Sequence, residues 1–257
     1  MAQIASQAVF HKAAQASPQV NRKSSGKENL LDQNNLTPGE TVNAIRSRLY
    51  YLLSLAFSFP GEELQSARSE LWGLAITLYP DMGINREGLN ISLDDMASEY
   101  INVFDGHDQK KYCKPYEGQW HEADRARRQW EIKKFYRFFG LGLNKANNEM
   151  PDHIMCELEF MHFLSYRMVA TGAGGLTDRE ANRPQHFLQA QKDFLERHLH
   201  SWVDGFCKQL LDKTDILFYH QLARITARFI KDDLEWLQDQ ARVADGKEQG
   251  ILTGRQD

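Results

Sequence analysis

From Thr37 to Trp236 apolar residues return every three or four positions, and proline or glycine closes most of the runs. A period near 3.6 marks one buried face of an α-helix, so the pattern leaves little room for any other regular structure. Thr37-Pro38-Gly39-Glu40 reads as a capping box with proline at the first helical position. The helix it opens carries Ile45, Leu49, Leu53 and Ala56 and stops at Pro60-Gly61. A second carries Leu64, Ala67, Leu71, Leu74 and Leu78 and ends at Pro80. A third opens at Ser92 with Asp95 and presents Met96, Tyr100 and Phe104. The stretch Gly106 to Gln119 has no period and contains Pro115, which predicts a long loop. Beyond it, Trp130 to Tyr136 predicts a helix ending at Gly140, and Pro151 begins another that runs to about Thr171 before Gly172, Gly174 and Gly175. A long helix carries Leu195, Leu199, Trp202, Phe206 and Leu210. The last, capped at Thr214, carries Phe218, Leu222, Ile225, Phe229 and Trp236.

No convincing strand alternation and no internal repeat stands out. Connections as short as Pro60-Gly61 favour antiparallel neighbours, so the expected fold is all-α, a single-domain helical bundle over 37–242. Residues 1–36 are rich in Ala, Gln, Ser and Asn, without an apolar period that would offset the entropy of ordering. They are expected to form a disordered tail, and 243–257 a frayed C-terminal tail.

Composition narrows the function. The apolar fraction is 42% and the net charge −4, which argues against a nucleic-acid partner, since phosphate recognition asks for a basic field. No apolar run reaches the length of a membrane span, and no apolar segment of an export leader follows Met1. Cys113, Cys156 and Cys207 are too scattered for a disulfide framework and fit free thiols in a cytoplasmic protein.

Motifs of catalysis are missing: no P-loop, no G-x-G-x-x-G, no H-E-x-x-H, no G-x-S-x-G. His153, Cys156 and Glu157 share a helical face and could converge on a metal, but one helical turn alone makes poor tetrahedral geometry and no second ligand pair accompanies it. His198 and His200 read as packing and hydrogen-bonding residues. Arg125, Arg127, Arg128, Lys133 and Lys134 alternate with Glu122, Asp124 and Glu131, which reads as a solvated helix face with local ion pairs. No catalytic residue, metal or cofactor is expected. The long loop is the unusual feature, because Tyr112, Pro115-Tyr116-Glu117 and Trp120 suit either a rigid recognition surface or simple packing onto the bundle.

An ordered set of short motifs supplies a resemblance. Tyr100-x-x-x-Phe104, Pro115-Tyr116-Glu117, Phe135-Tyr136 with Gly140-Leu141, and Pro151-Asp152-His153-Ile154-x-x-Glu157-Leu158-Glu159-Phe160-Met161 follow one another. Phe194-x-x-x-His198-Leu199-x-x-Trp202-x-x-x-Phe206 and Phe218-Tyr219 complete the series. Over about residues 40 to 235 the chain resembles the maturation chaperones of the DMSO-reductase superfamily, the TorD/DmsD/NarJ type, with the Pro151 motif the most specific piece.

The resemblance implies an all-α protein without catalytic activity. Its partner would be the catalytic subunit of a molybdenum oxidoreductase, bound in the cytoplasm through its twin-arginine leader until cofactor insertion is complete. The spacing of the Pro115 and Pro151 motifs leans towards the respiratory nitrate reductase-like branch. A leader joins a basic end to an apolar helical stretch, so its receptor needs an apolar groove with carboxylates at one end. The expected client-binding residues are Tyr116, Glu117, Trp120, Asp152, His153, Glu157 and Phe160. Glu117, Asp152 and Glu157 would pair with guanidinium groups, and Tyr116, Trp120 and Phe160 would supply aromatic surface. Each also has a structural reading, such as Asp152 as a helix cap or Phe160 as core. Two rivals stand: a helical scaffold or regulator with an unrelated partner, and a metal- or haem-binding helical enzyme. The chain could be a monomer or a domain-swapped dimer, since long helices joined by a glycine-rich hinge such as Gly172 to Gly175 permit swapping.

Overall fold

The computed structural model describes residues 10–12, 37–108, 110–143, 149–172 and 184–253. Among them the chain is helical almost throughout. Helix α1 spans Pro38–Ala56, α2 Glu62–Leu78, α3 Leu93–Val103 and α4 Arg125–Phe138. Helix α5 spans Ile154–Gly172, α6 Pro184–Phe194, α7 His200–Lys213 and α8 Leu217–Thr253. The start signals act as the sequence predicts. Glu40 accepts the Thr37 N–H at 2.8 Å while Thr37 Oγ1 accepts the Glu40 N–H at 3.3 Å, closing the capping box. Ser92 Oγ accepts the Asp95 N–H, and Gly140 terminates α4 at φ +71°, a left-handed value that glycine adopts without strain.

Three departures matter. Helices α6 and α7 are joined without a break by a π turn over Leu195–Leu199, in which the His200 N–H reaches back to the Leu195 carbonyl. Such turns insert a residue and re-aim the side chains on the buried face. Helix α5 starts at Ile154 rather than Pro151, because Pro151–His153 are held in a turn by the preceding loop. A short antiparallel ribbon pairs Phe10–Lys12 (β1) with Leu141–Leu143 (β2), where the sequence offers no strand alternation. Apart from β1, the expected N-terminal tail lies outside the described residues, as do Gly174 and Gly175. Helix α8 continues past Val243 to Thr253.

Helix α1 packs along α5 and α2, α5 along α6, and α7 along α8, around one continuous core. Aromatic rings fill both ends of it. Phe57, Phe104, Phe206 and Tyr219 interlock at one end, and Tyr136, Phe160 and Phe194 at the other. A buried ion pair fastens α1 to the far helices. Arg46 grips both carboxylate oxygens of Asp233 on α8, and its guanidinium also donates to Gln191 on α6 at 2.8 Å and to Asn43 at 2.7 Å. Tyr50 donates to Asp233 at 2.7 Å, and Trp236 lies under the guanidinium at 4.2 Å. Each nitrogen of the guanidinium and each carboxylate oxygen thus has a partner, the condition under which a buried pair is tolerated.

Removing one partner strands the other charge. Arg46→Ala is expected to lower unfolding free energy by about 3–5 kcal/mol in urea titration, and Arg46→Met with Asp233→Leu by less than either single change.

Candidate functional site

Seven residues were expected to meet a client, and the structure brings them to one place, where the 113–120 loop lies across the start of α5. The loop is fastened by backbone first. The Ile154 N–H donates to the Pro115 carbonyl at 2.9 Å and the Glu117 N–H to the Asp152 carbonyl at 2.8 Å, making a one-residue antiparallel bridge between Tyr116 and His153. The Asp152 side chain does not cap α5. Its Oδ2 accepts the Gly118 N–H at 3.1 Å and its Oδ1 accepts from Gln129 of α4 at 2.9 Å. The capping acceptor is His153, whose Nδ1 takes the Met155 N–H at 3.1 Å.

Glu117 carries the side-chain half of this clasp. It is fully buried, and its carboxylate is gripped by Arg128 of α4 and lies 3.0 Å from Nδ1 of His198 in the π turn. A carboxylate only accepts, so His198 Nδ1 bears the proton. Glu157, one turn into α5, is also fully buried. Trp202 donates to its Oε2 at 3.2 Å, whereas Oε1 has no hydrogen-bond partner among the described residues. Burial, with the Glu117 charge behind it, pushes the Glu157 carboxyl well above its ordinary range. Gly118 is required by space: a Cβ there would stand 2.5 Å from Arg125 Cγ and 2.8 Å from Asp152 Oδ2.

Glu117, Asp152, His153, Glu157 and Phe160 are therefore all buried, with Phe160 packed against Tyr136 and Phe194. Tyr116 and Trp120 are half-buried. Trp120 turns back onto the bundle, donating to the Lys114 carbonyl and packing against Gly205. Tyr116 stands edge-on to the His153 ring at 4.9 Å and donates to Glu149 at 3.3 Å.

At the outer edge of Tyr116 lies a group that the sequence reading missed. Burial, followed by the charges of Asp105 and Glu149, pushes the Tyr100 phenol up. Burial and Glu149 do the same to Tyr116, with Tyr112 and Asp105 adding to it. Asp105 and Glu149 are themselves raised, each by burial first and Asp105 then by the Glu149 charge. Among the described residues neither carboxylate is ion-paired with a lysine or arginine. Beside them, Phe59 is 55% exposed and rests edge-on against Tyr100 at 5.5 Å, with Ile101 and Met150 also exposed. The arrangement is a rim of two carboxylates with half-buried Tyr116 and Tyr112, beside exposed Phe59 seated on buried Tyr100. Chemically it accepts a cation, above all a planar guanidinium, followed by an apolar stretch. Nothing in the sequence marks Asp105 or Glu149, which look like ordinary loop acids. Among the described residues no three His, Cys, Asp or Glu side chains converge as a metal-ligand set.

Burial of His153 makes the clasp acid-sensitive. Its folded pKa falls to about 4 from the ordinary 6.5, so between those values the unfolded chain binds a proton that the folded chain refuses. Stability from this group is full above pH 6.5 and is lost as pH falls towards 4, by about 3 kcal/mol in all. Glu157 acts in the opposite sense, since a raised carboxyl weighs against folding once the unfolded chain ionises it. His153→Asn keeps the capping acceptor without the proton equilibrium. Its urea midpoint is expected to lose ground to the native chain at neutral pH and regain it at pH 4.5.

Residues 63–208 match the protein family described as nitrate reductase delta subunit. The perchlorate reductase assembly chaperone protein of Dechloromonas aromatica is 29% identical over 205 residues, 74% of this chain and 88% of the relative. The selenate reductase assembly chaperone protein of Thauera selenatis is 33% identical over 146 residues, 53% of this chain and 72% of the relative. The chaperone protein TorD of Shewanella loihica is 28% identical over 220 residues, 76% of this chain and 94% of the relative. The matched segment runs from α2 through α7 and contains the whole clasp, and the chain belongs to the nitrate reductase delta subunit family.

Proposed function

We propose that the chain is a dedicated maturation chaperone for the catalytic subunit of a molybdenum-containing oxidoreductase, a binding protein with no catalytic step of its own. It acts in the cytoplasm, holding the subunit until cofactor insertion is complete and delaying any export until then. The observation that carries the reading is the pairing of an uncompensated acidic rim, Asp105 and Glu149, with the exposed Phe59 that rests on buried Tyr100. A twin-arginine leader presents the complementary order, a basic end and then an apolar helical stretch. The names of the relatives, assembly chaperones for perchlorate and selenate reductases, support the same reading. In it, Tyr116 and Trp120 offer the reachable part of the loop. Glu117, Asp152, His153, Glu157 and Phe160 act as positioning residues that fix the shape of the loop. No helix among the described residues is long and apolar enough to cross a membrane.

The test is affinity purification of the tagged chain from its host under anaerobic respiration. Recovery of a molybdoenzyme catalytic subunit without its cofactor is the expected outcome. The double substitution Asp105→Asn with Glu149→Gln should cut that recovery at least tenfold while circular dichroism stays unchanged. An unrelated partner, or recovery indifferent to the two substitutions, would sink the reading.

A further inference from the structure

Helix α4 has a second face that the clasp does not use. Inward it supplies Ile132 and Tyr136 to the core and Arg128 and Gln129 to the loop. Outward it exposes Trp130 at 54% and Phe138 at 75%, with Lys133, Lys134 and Arg137 on the same side. Trp130 and Phe138 are eight residues apart, about 12 Å along the axis at 1.5 Å per residue. Lys134 lies between them with its ammonium 3.4 Å from the Trp130 ring. Glu131, the one acid within α4, does not neutralise this face. Glu131 is engaged by Arg127 at 3.4 Å and by Arg197 at 3.3 Å, and among the described residues Lys133 and Arg137 form no ion pair. Six cationic residues against one acid give α4 a charge of +5, which leaves −9 on the remainder of a chain whose net charge is −4.

We infer that the outer face of α4 is a docking surface for an acidic amphipathic segment of another protein, with carboxylates on Lys133, Lys134 and Arg137 and apolar side chains against Trp130 and Phe138. Charge decides the class of partner. A basic leader is repelled here, so this surface is separate from the Asp105–Glu149 rim. An anionic membrane is also disfavoured, because a broad anionic plane meets the −9 of the rest of the chain as well as α4. A narrow helix or strand touches α4 alone. Two large aromatics that would otherwise stay in water, framed by cations, are the composition of an interface anchor rather than of a solvated face.

The inference does not rest on the chaperone reading, since the purified full chain and a synthetic probe suffice. The probe is a fluorescein-labelled, helical Glu/Leu amphipathic peptide of eighteen residues, with a Lys/Leu peptide of the same pattern and phosphatidylglycerol vesicles beside it. The native chain should bind the Glu/Leu peptide, more weakly as salt rises, and ignore the Lys/Leu peptide. Lys133→Glu with Arg137→Glu should weaken the first at least tenfold and create binding to the second. Trp130→Ala with Phe138→Ala should weaken the first at least fivefold without reversing the charge preference. All these positions are exposed, and circular dichroism checks that each variant folds. Failure of the native chain to bind, indifference to charge reversal, or vesicles displacing the peptide would each overturn the assignment.

Discussion

A carboxylate buried as completely as Glu117 must be paired where it sits, and that requirement organises the centre of the molecule. Its partners come from elements far apart in sequence, Arg128 on α4 and His198 in the π turn between α6 and α7. The backbone bridge between Tyr116 and His153 holds the same loop to the start of α5, so the neutralised side chain and the bridge together fix α4, α5 and the α6–α7 junction relative to the loop. The π turn follows from this geometry: an extra residue per turn aims His198 at Glu117 while Phe194 and Leu199 stay in the core. Arg46 and Asp233 perform the analogous task at another place, tying α1 to α6 and α8.

The clasp explains how a loop with little secondary structure can present a defined surface. Its inner residues are consumed by contacts within the chain, which leaves the Tyr116 hydroxyl, Glu149 and Asp105 at the edge. Charge separates the two outward-looking regions. The rim at Asp105 is acidic and apolar by turns, whereas the outer face of α4 is cationic and aromatic. Because α4 also carries Arg128 and Gln129, the two regions are joined through one rigid element.

The helices were legible in the sequence because capping and periodicity are local. Thr37 and Glu40, Ser92 and Asp95, and Gly140 act where the sequence places them. The π turn was not legible, since Leu195, Leu199 and Trp202 keep a spacing that an uninterrupted α-helix also satisfies. The start of α5 was missed by three residues because a non-local bridge captures Pro151–His153. For the site, residue types pointed to the right neighbourhood but not to the depth of each side chain. Asp152, His153 and Glu157 carry groups that suit recognition, yet the partners that bury them lie on loops and helices no local pattern can foresee. Asp105 and Glu149 escaped for the opposite reason: only the fold brings them beside the same tyrosines.

In the proposed function the acidic, tyrosine-lined rim receives a guanidinium-bearing leader. Calorimetric titration of the purified chain with a synthetic Arg-Arg leader peptide carrying an apolar stretch, against its Lys-Lys counterpart, tests it most directly. Guanidinium pairs with a carboxylate through two parallel hydrogen bonds and stacks on tyrosine, and ammonium does neither as well. The account predicts saturable one-to-one binding of the Arg-Arg peptide, at least tenfold tighter than that of the Lys-Lys peptide. Equal affinity for the two, or no heat of binding with either, would contradict it.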